Sequence, residues 1–179
     1  MSDFLLSQLI AVIAFGCGAV SFQLKTRRSI LLWLSGSAIV NACHFFILGR
    51  AAPGILYLTM GARSLSAAFS VNRKIMYLFL GLILVGFFFS YKSPIGFLGL
   101  FATLFATYGS FQTSDRRLRV IMMLSNVSWM VHNIVVGTPV AAVMEGTFLV
   151  SNVIGYWRYH LRNNAAPGQD PDLTEDRTG

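Results

Sequence analysis

The chain is 179 residues long, 55% apolar and only 12% charged, with a formal net charge of +7. A water-soluble fold of this size cannot hide that much apolar surface, and soluble domains carry about twice this charged fraction. The positive charge does not point to nucleic acid, because the basic residues sit at the ends of apolar runs and not on one amphipathic face.

A membrane-spanning helix needs roughly 20 mostly apolar residues, with about 17 as the lower limit. Seven runs qualify. The first, 4–22, has no basic residue before it and Lys25, Arg27 and Arg28 after it, so it reads as a retained anchor and not as a secretory signal. The second, 30–49, carries Ser37, Asn41 and His44 at spacings of four and three. The third, 54–71, carries Thr59, Arg63, Ser66 and Ser70. The fourth, 75–91, has no strongly polar group and is expected to face lipid all round. The fifth, 95–111, carries Thr103, Thr107 and Ser110. The sixth, 118–137, places Asn126, Trp129 and Asn133 on one face and Ser125 and His132 on another; the seventh, 139–157, carries Glu145, Asn152 and Tyr156. Spacings of three, four and seven stack side chains on one helix face. Pro53 and Pro139 suit the first turns of their helices. Cys17 and Cys43 lie inside apolar runs without zinc spacing and read as packing residues. From 163 to 179 the chain is polar and is expected to be a disordered cytoplasmic tail.

The chain repeats itself. Ser21-Phe22-Gln23-Leu24-Lys25-Thr26-Arg27-Arg28 returns as Ser110-Phe111-Gln112-Thr113-Ser114-Asp115-Arg116-Arg117, and both His44 and His132 stand five residues before a glycine. The expected fold is therefore all-α and integral to the membrane, with seven transmembrane helices in a 3+1+3 parallel repeat. Residues 1–72 form the first three-helix bundle, 73–94 the linking helix and 95–162 the second bundle. Lys25, Arg27, Arg28, Arg73, Lys74, Arg116, Arg117, Arg119, Arg158 and Arg162 fall on one side, against Arg50 and Lys92 on the other. The positive-inside rule then sets the N-terminus in the periplasm and the C-terminus in the cytoplasm.

Arg63 and Glu145 are the formal charges deep within the spans. A central charge costs about 2.5–3.5 kcal/mol on insertion scales, so each seeks a partner, and a pair between the two would cross the repeat interface. Such a pair reads as a structural clamp or as a substrate or gating site. His44 and His132, at equal depth, read as satisfied packing residues or as pore and gate residues, with Asn41 on the His44 stripe. Bis-histidine haem ligation is a third use of the pair. Asn126, Trp129, Asn133 and Asn152 can bind a polar solute or act as interhelical glue. All three lysines lie at helix ends, so none can form a buried Schiff base, and there is no metal motif, nucleophile elbow or phosphate loop. Neither enzymatic activity nor a cofactor is expected.

His44-Phe45-Phe46-Ile47-Leu48-Gly49, Ala62-Arg63, Trp129-Met130-Val131-His132-Asn133 and Met144-Glu145-Gly146-Thr147-Phe148-Leu149-Val150-Ser151-Asn152 resemble the YgjV-type bacterial inner-membrane proteins over nearly the whole chain except the tail. Met60 departs from that pattern, which has an asparagine about three residues before the arginine. More distantly, the 3+1+3 plan is similar to the SWEET and PQ-loop transporters, and Asn152-Val153-Ile154-Gly155 resembles the Asn-x-x-Gly of their last helix, which would make Asn152 a pocket residue. A charged Arg63 in the third helix, where SWEET-type proteins carry a pocket asparagine, suggests an anionic or zwitterionic solute over a neutral sugar. These resemblances and the polar stripes lead to one expectation: an inner-membrane transporter of a small polar solute, working by alternating access. The alternatives are a non-transporting scaffold or receptor of the same fold and a haem-binding redox protein. The expected partners are the bilayer and the solute, with no nucleic acid; homo-oligomer formation is left open.

Overall fold

The computed structural model describes residues 3–91 and 93–162; Lys92 and the expected tail lie outside them. Among the described residues the chain forms seven α-helices: α1 (Asp3–Ser21), α2 (Arg27–Ile47), α3 (Ala51–Phe69), α4 (Arg73–Ser90), α5 (Gly96–Ser110), α6 (Asp115–Val136) and α7 (Pro139–Tyr156), the last followed by a π-helical turn, Trp157–Leu161. Four are long and apolar enough to cross a bilayer: α1, α2, α6, and α7 continued through Leu161. α5 is apolar but has only 15 residues, a reach of roughly 22 Å at 1.5 Å per residue.

Local chemistry places the helix ends. Thr26 caps α2 by accepting from the Ser29 amide, and Asn72 caps α4 by accepting from the Lys74 amide, each satisfying a donor the first turn leaves free. Gly49 and Gly137 end α2 and α6 with φ of 69° and 78°, the left-handed conformation that costs any residue with a Cβ. Pro53 and Pro139 both fall in first turns, where no amide donor is needed.

α2 packs along both α1 and α3, and α6 along both α5 and α7. The chain's two halves meet where α1 touches α7 and α3 touches α5, while α4 lies on α5 and reaches α3. Six helices are thus linked in a ring with α4 outside it. Small residues line the close approaches. Ala38, Ala42, Gly61, Ala67 and Ala102 are buried, as expected where apolar solvent gives helices no hydrophobic drive and backbones must come close to attract. Hydroxyls add bonds across the same interfaces. Ser37 Oγ donates to the Ala14 carbonyl at 2.7 Å, and Ser125 Oγ to the Ala102 carbonyl at 2.8 Å.

Large apolar side chains point outward. Phe88 and Phe89 on α4 are 80% and 83% exposed, and among its described side chains α4 buries only Met76, so the helix without a polar stripe is the one most open to its surroundings. The buried apolar cluster instead gathers at one end, from Phe22, Ile30, Leu31, Ala67, Ala68, Met76, Ala106, Phe111, Leu118 and Met122. That end holds the last turns of α1, α3, α5 and α7 and the first turns of α2, α4 and α6. It is the end rich in arginine and lysine, called the basic end below.

Candidate functional site

The last turn of a helix leaves backbone carbonyls without amide partners, and the summed peptide dipoles make that end negative. At the basic end, two arginines take up such carbonyls across the boundary between the halves. Arg27, in the first turn of α2, donates from Nη2 to the Ala67 carbonyl of α3 and, at 2.8 Å, to the Ser110 carbonyl of α5. Arg119, near the start of α6, donates from Nη1 to the Phe22 carbonyl at 2.7 Å and from Nη2 to the Leu24 carbonyl beyond α1. Each arginine comes from the second helix of one half and reaches the end of the first helix of the other. Around them, Gln23 Nε2 donates to both the carbonyl and Oγ of Ser151 at 2.8 Å, Ser151 Oγ donates to the Ala19 carbonyl at 2.7 Å, and Tyr159 Oη donates to the Gln23 carbonyl at 2.8 Å. Gly155 lets α7 come this close: a Cβ there would overlap the Phe22 carbonyl oxygen and the Arg119 guanidinium.

Arg63 is 5% exposed, and its Nη1 donates to Thr107 Oγ1 at 3.0 Å. The Thr107 hydroxyl in turn donates a hydrogen bond to the Thr103 carbonyl at 2.8 Å. The expected ion pair of Arg63 with Glu145 does not form; among the described residues the basic–acidic contact within 4 Å is that of His160 Nε2 with Asp115 Oδ2, at 3.0 Å. The reason is topological. α3 abuts α5, while α7 abuts α1, so a hydroxyl on α5 meets the guanidinium first.

Glu145 instead belongs to a second layer. Tyr57 of α3 is within hydrogen-bonding reach of Asn41 of α2 and within the electrostatic field of the Glu145 carboxylate on α7. Asn41, Tyr57 and Glu145 each stand six residues inside the helix end opposite the basic one, roughly 9 Å deep at 1.5 Å per residue. All three are half-buried. Among the described residues, no hydrogen-bonded or ion-paired cation faces Glu145.

The other expected site residues divide by what they touch. Asn152 is fully buried and its Nδ2 donates to the Arg119 carbonyl at 2.9 Å, joining α7 to α6. Its Oδ1, like Asn126 Nδ2 and Arg63 Nε, is buried without a hydrogen-bond partner among the described residues. Trp129 lies over Gly99 of α5 and meets His132 edge-on, ring centres 5.3 Å apart. Asn133 Oδ1 accepts from Thr138 Oγ1 at 3.3 Å, closing the turn after α6. His44 Nδ1 is 2.7 Å from the Ser7 carbonyl of α1. The two histidines therefore turn to the first helix of their own halves, α1 and α5, and the described contacts do not bring them to a common gate. Sequence reasoning missed Arg27 and Arg119, read only as markers of orientation, and Tyr57, which is off the Arg63 stripe.

The sequence that builds this helical ring matches a family of membrane proteins. The family model Imp-YgjV, described as a bacterial inner membrane protein, matches residues 5–163. This chain belongs to that family. Inner membrane protein YgjV of Escherichia coli strain K12 is 28% identical over 178 residues, covering 98% of this chain and 94% of that protein. No solved structure matches. For an Imp-YgjV protein of the inner membrane, the outward apolar faces of α1, α2, α6 and α7 are suited to lipid.

Proposed function

We propose that this Imp-YgjV protein carries a small polar solute across the inner membrane by alternating access between two three-helix bundles, α1–α3 and α5–α7, with α4 the linking span of a seven-span plan. In this reading the basic end faces the cytoplasm and the N-terminus the periplasm. One observation carries the proposal: the bonds between halves concentrate at the basic end, whereas the layer of Asn41, Tyr57 and Glu145 near the other end is half-buried and, among the described residues, its carboxylate has no cationic partner. That is the form of a carrier closed inward and loosened outward.

The repeat draws support from paired bonds. Ser37 to Ala14 and Ser125 to Ala102 each span 23 residues at corresponding positions, and Arg27 and Arg119 brace opposite halves reciprocally. Rocking one bundle on the other would open these arginine contacts while drawing Glu145 toward Tyr57. Arg63, sealed against Thr107, braces α3 on α5 in this reading. The formal charge left facing the looser end is then negative, so the solute carries a cationic group, an ammonium or a guanidinium, with Asn41 and Tyr57 as neutral contacts.

The test is uptake into proteoliposomes from a panel of cationic amines, zwitterionic amino acids, neutral sugars and organic anions. Wild-type protein should take up a solute with a cationic group in a saturable way, and Glu145→Gln should cut its uptake about tenfold or more, equivalent to a loss of about 1.4 kcal/mol or above. No uptake of any panel member by wild type, or unaltered uptake by Glu145→Gln, removes the reading.

A further inference from the structure

A second polar recess lies outside the ring, at the basic end, where the first turn of α4 meets the last turn of α5 and the start of α6. It encloses about 410 Å³ and is lined by Arg73 and Arg117, the hydroxyl-bearing Tyr77, Tyr108 and Thr113, and Gln112, among others. No carboxylate lines it. Asp115, the nearest acidic residue along the chain, is held 3.0 Å from His160. α4 and α6, of 18 and 22 residues, both begin at this recess, so the positive ends of two helix dipoles add to two guanidinium groups. Ser114, the residue that would cap α6, makes no side-chain cap hydrogen bond, which leaves first-turn amides free to serve an outside acceptor.

Arg117 also borders a second hollow of about 290 Å³, whose other lining residues are Arg116, Val120 and Ile121 on α6. A cationic recess and an apolar one thus share a side chain. A small soluble anion would fill the first and leave the second empty, whereas a molecule with an anionic head and an apolar chain fits both. Tyr77 and Tyr108, 62% and 48% exposed, open the recess toward the lipid face at the level where tyrosines collect in membrane proteins. Basic recesses between spanning helices at a membrane surface are suited to anionic headgroups.

We propose that this recess binds one anionic phospholipid, its phosphate between Arg73 and Arg117 and an acyl chain along Val120 and Ile121. The site is separate from the Glu145 layer and stands whether or not the chain transports a solute.

Native mass spectrometry of the delipidated full-length protein in detergent tests it, with phosphatidylglycerol and phosphatidylcholine of the same chains, and with glycerol 3-phosphate as the soluble probe. Wild-type protein should bind one phosphatidylglycerol in preference to phosphatidylcholine. Removing both positive charges in Arg73→Gln/Arg117→Gln should lower its affinity about thirtyfold, at roughly fivefold per arginine near a membrane surface. Both side chains are exposed, so folding is not at risk, and Arg50→Gln at the opposite end should leave binding unchanged. Val120→Trp, which fills the apolar hollow without altering charge, should weaken phosphatidylglycerol binding while sparing glycerol 3-phosphate. Equal binding of the two lipids by wild type, or an intact preference in the double variant, overturns the proposal. Displacement of phosphatidylglycerol by an equal concentration of glycerol 3-phosphate assigns the recess to a soluble phosphate and overturns the lipid assignment.

Discussion

Among the fully buried larger side chains, Ile30, Leu31, Thr107, Ser110, Leu118, Arg119, Ser21 and Asn152 all lie in the basic half of the bundle, and Ser7 stands apart at the other end. α6 buries nothing past Asn126, and α7 nothing before Asn152. One end is therefore a packed core crossed by charge-assisted bonds, and the other a looser collection of half-buried polar groups around Glu145. The difference follows from what each end has available. Four helices finish at the basic end, each leaving free carbonyls, and the same loops supply arginines long enough to turn inward and take them up. At the far end the loops carry a single described arginine, Arg50, at the cap position of α3, where its side chain makes no cap hydrogen bond. Polar groups there have fewer strong donors to close on.

This contrast can be broken at its strongest point first. Arg119→Ala removes two charge-assisted hydrogen bonds, to the Phe22 and Leu24 carbonyls, each worth about 1.5–3 kcal/mol, so it should destabilise the protein by about 3–5 kcal/mol in detergent unfolding followed by circular dichroism. A loss below about 1 kcal/mol would mean that the basic end is not the stable one. Gly155→Ala comes next. Its new methyl has to displace the Phe22 carbonyl or Arg119, an overpacking cost of about 1–3 kcal/mol. Gly81→Ala, on α4 with no atom near its added methyl, should instead gain about 0.5–1 kcal/mol from helix propensity alone. The smallest effect is expected at the loose end. Glu145→Gln should change stability by no more than about 0.5 kcal/mol, because no ion pair is broken. A large loss would reveal that Glu145 supports the fold and would weaken its assignment to solute.

The helices themselves were legible. All seven expected runs correspond to observed helices with ends shifted by a few residues, since hydrophobic runs, prolines, caps and glycines act locally. The exterior place of α4 was equally plain from its lack of polar groups. The partner of Arg63 was not. Its cost in lipid predicted that it would be satisfied, but the choice of Thr107 over Glu145 depended on α3 lying beside α5. Arg27 and Arg119 sat among loop cations, and a count of charges cannot tell one that turns inward from one that stays in water.

The amino-acid sequence by itself settled how the chain divides into helices, which residues would resist burial in lipid, and where the basic end lies, because these follow from the hydropathy of each short stretch against a bilayer about 30 Å thick. Tertiary structure decided which polar groups meet, which end is sealed and which carboxylate is left open. Those outcomes depend on helix adjacency, and in a uniformly apolar solvent adjacency is set by small-residue packing and interhelical hydrogen bonds, which a single helix does not encode.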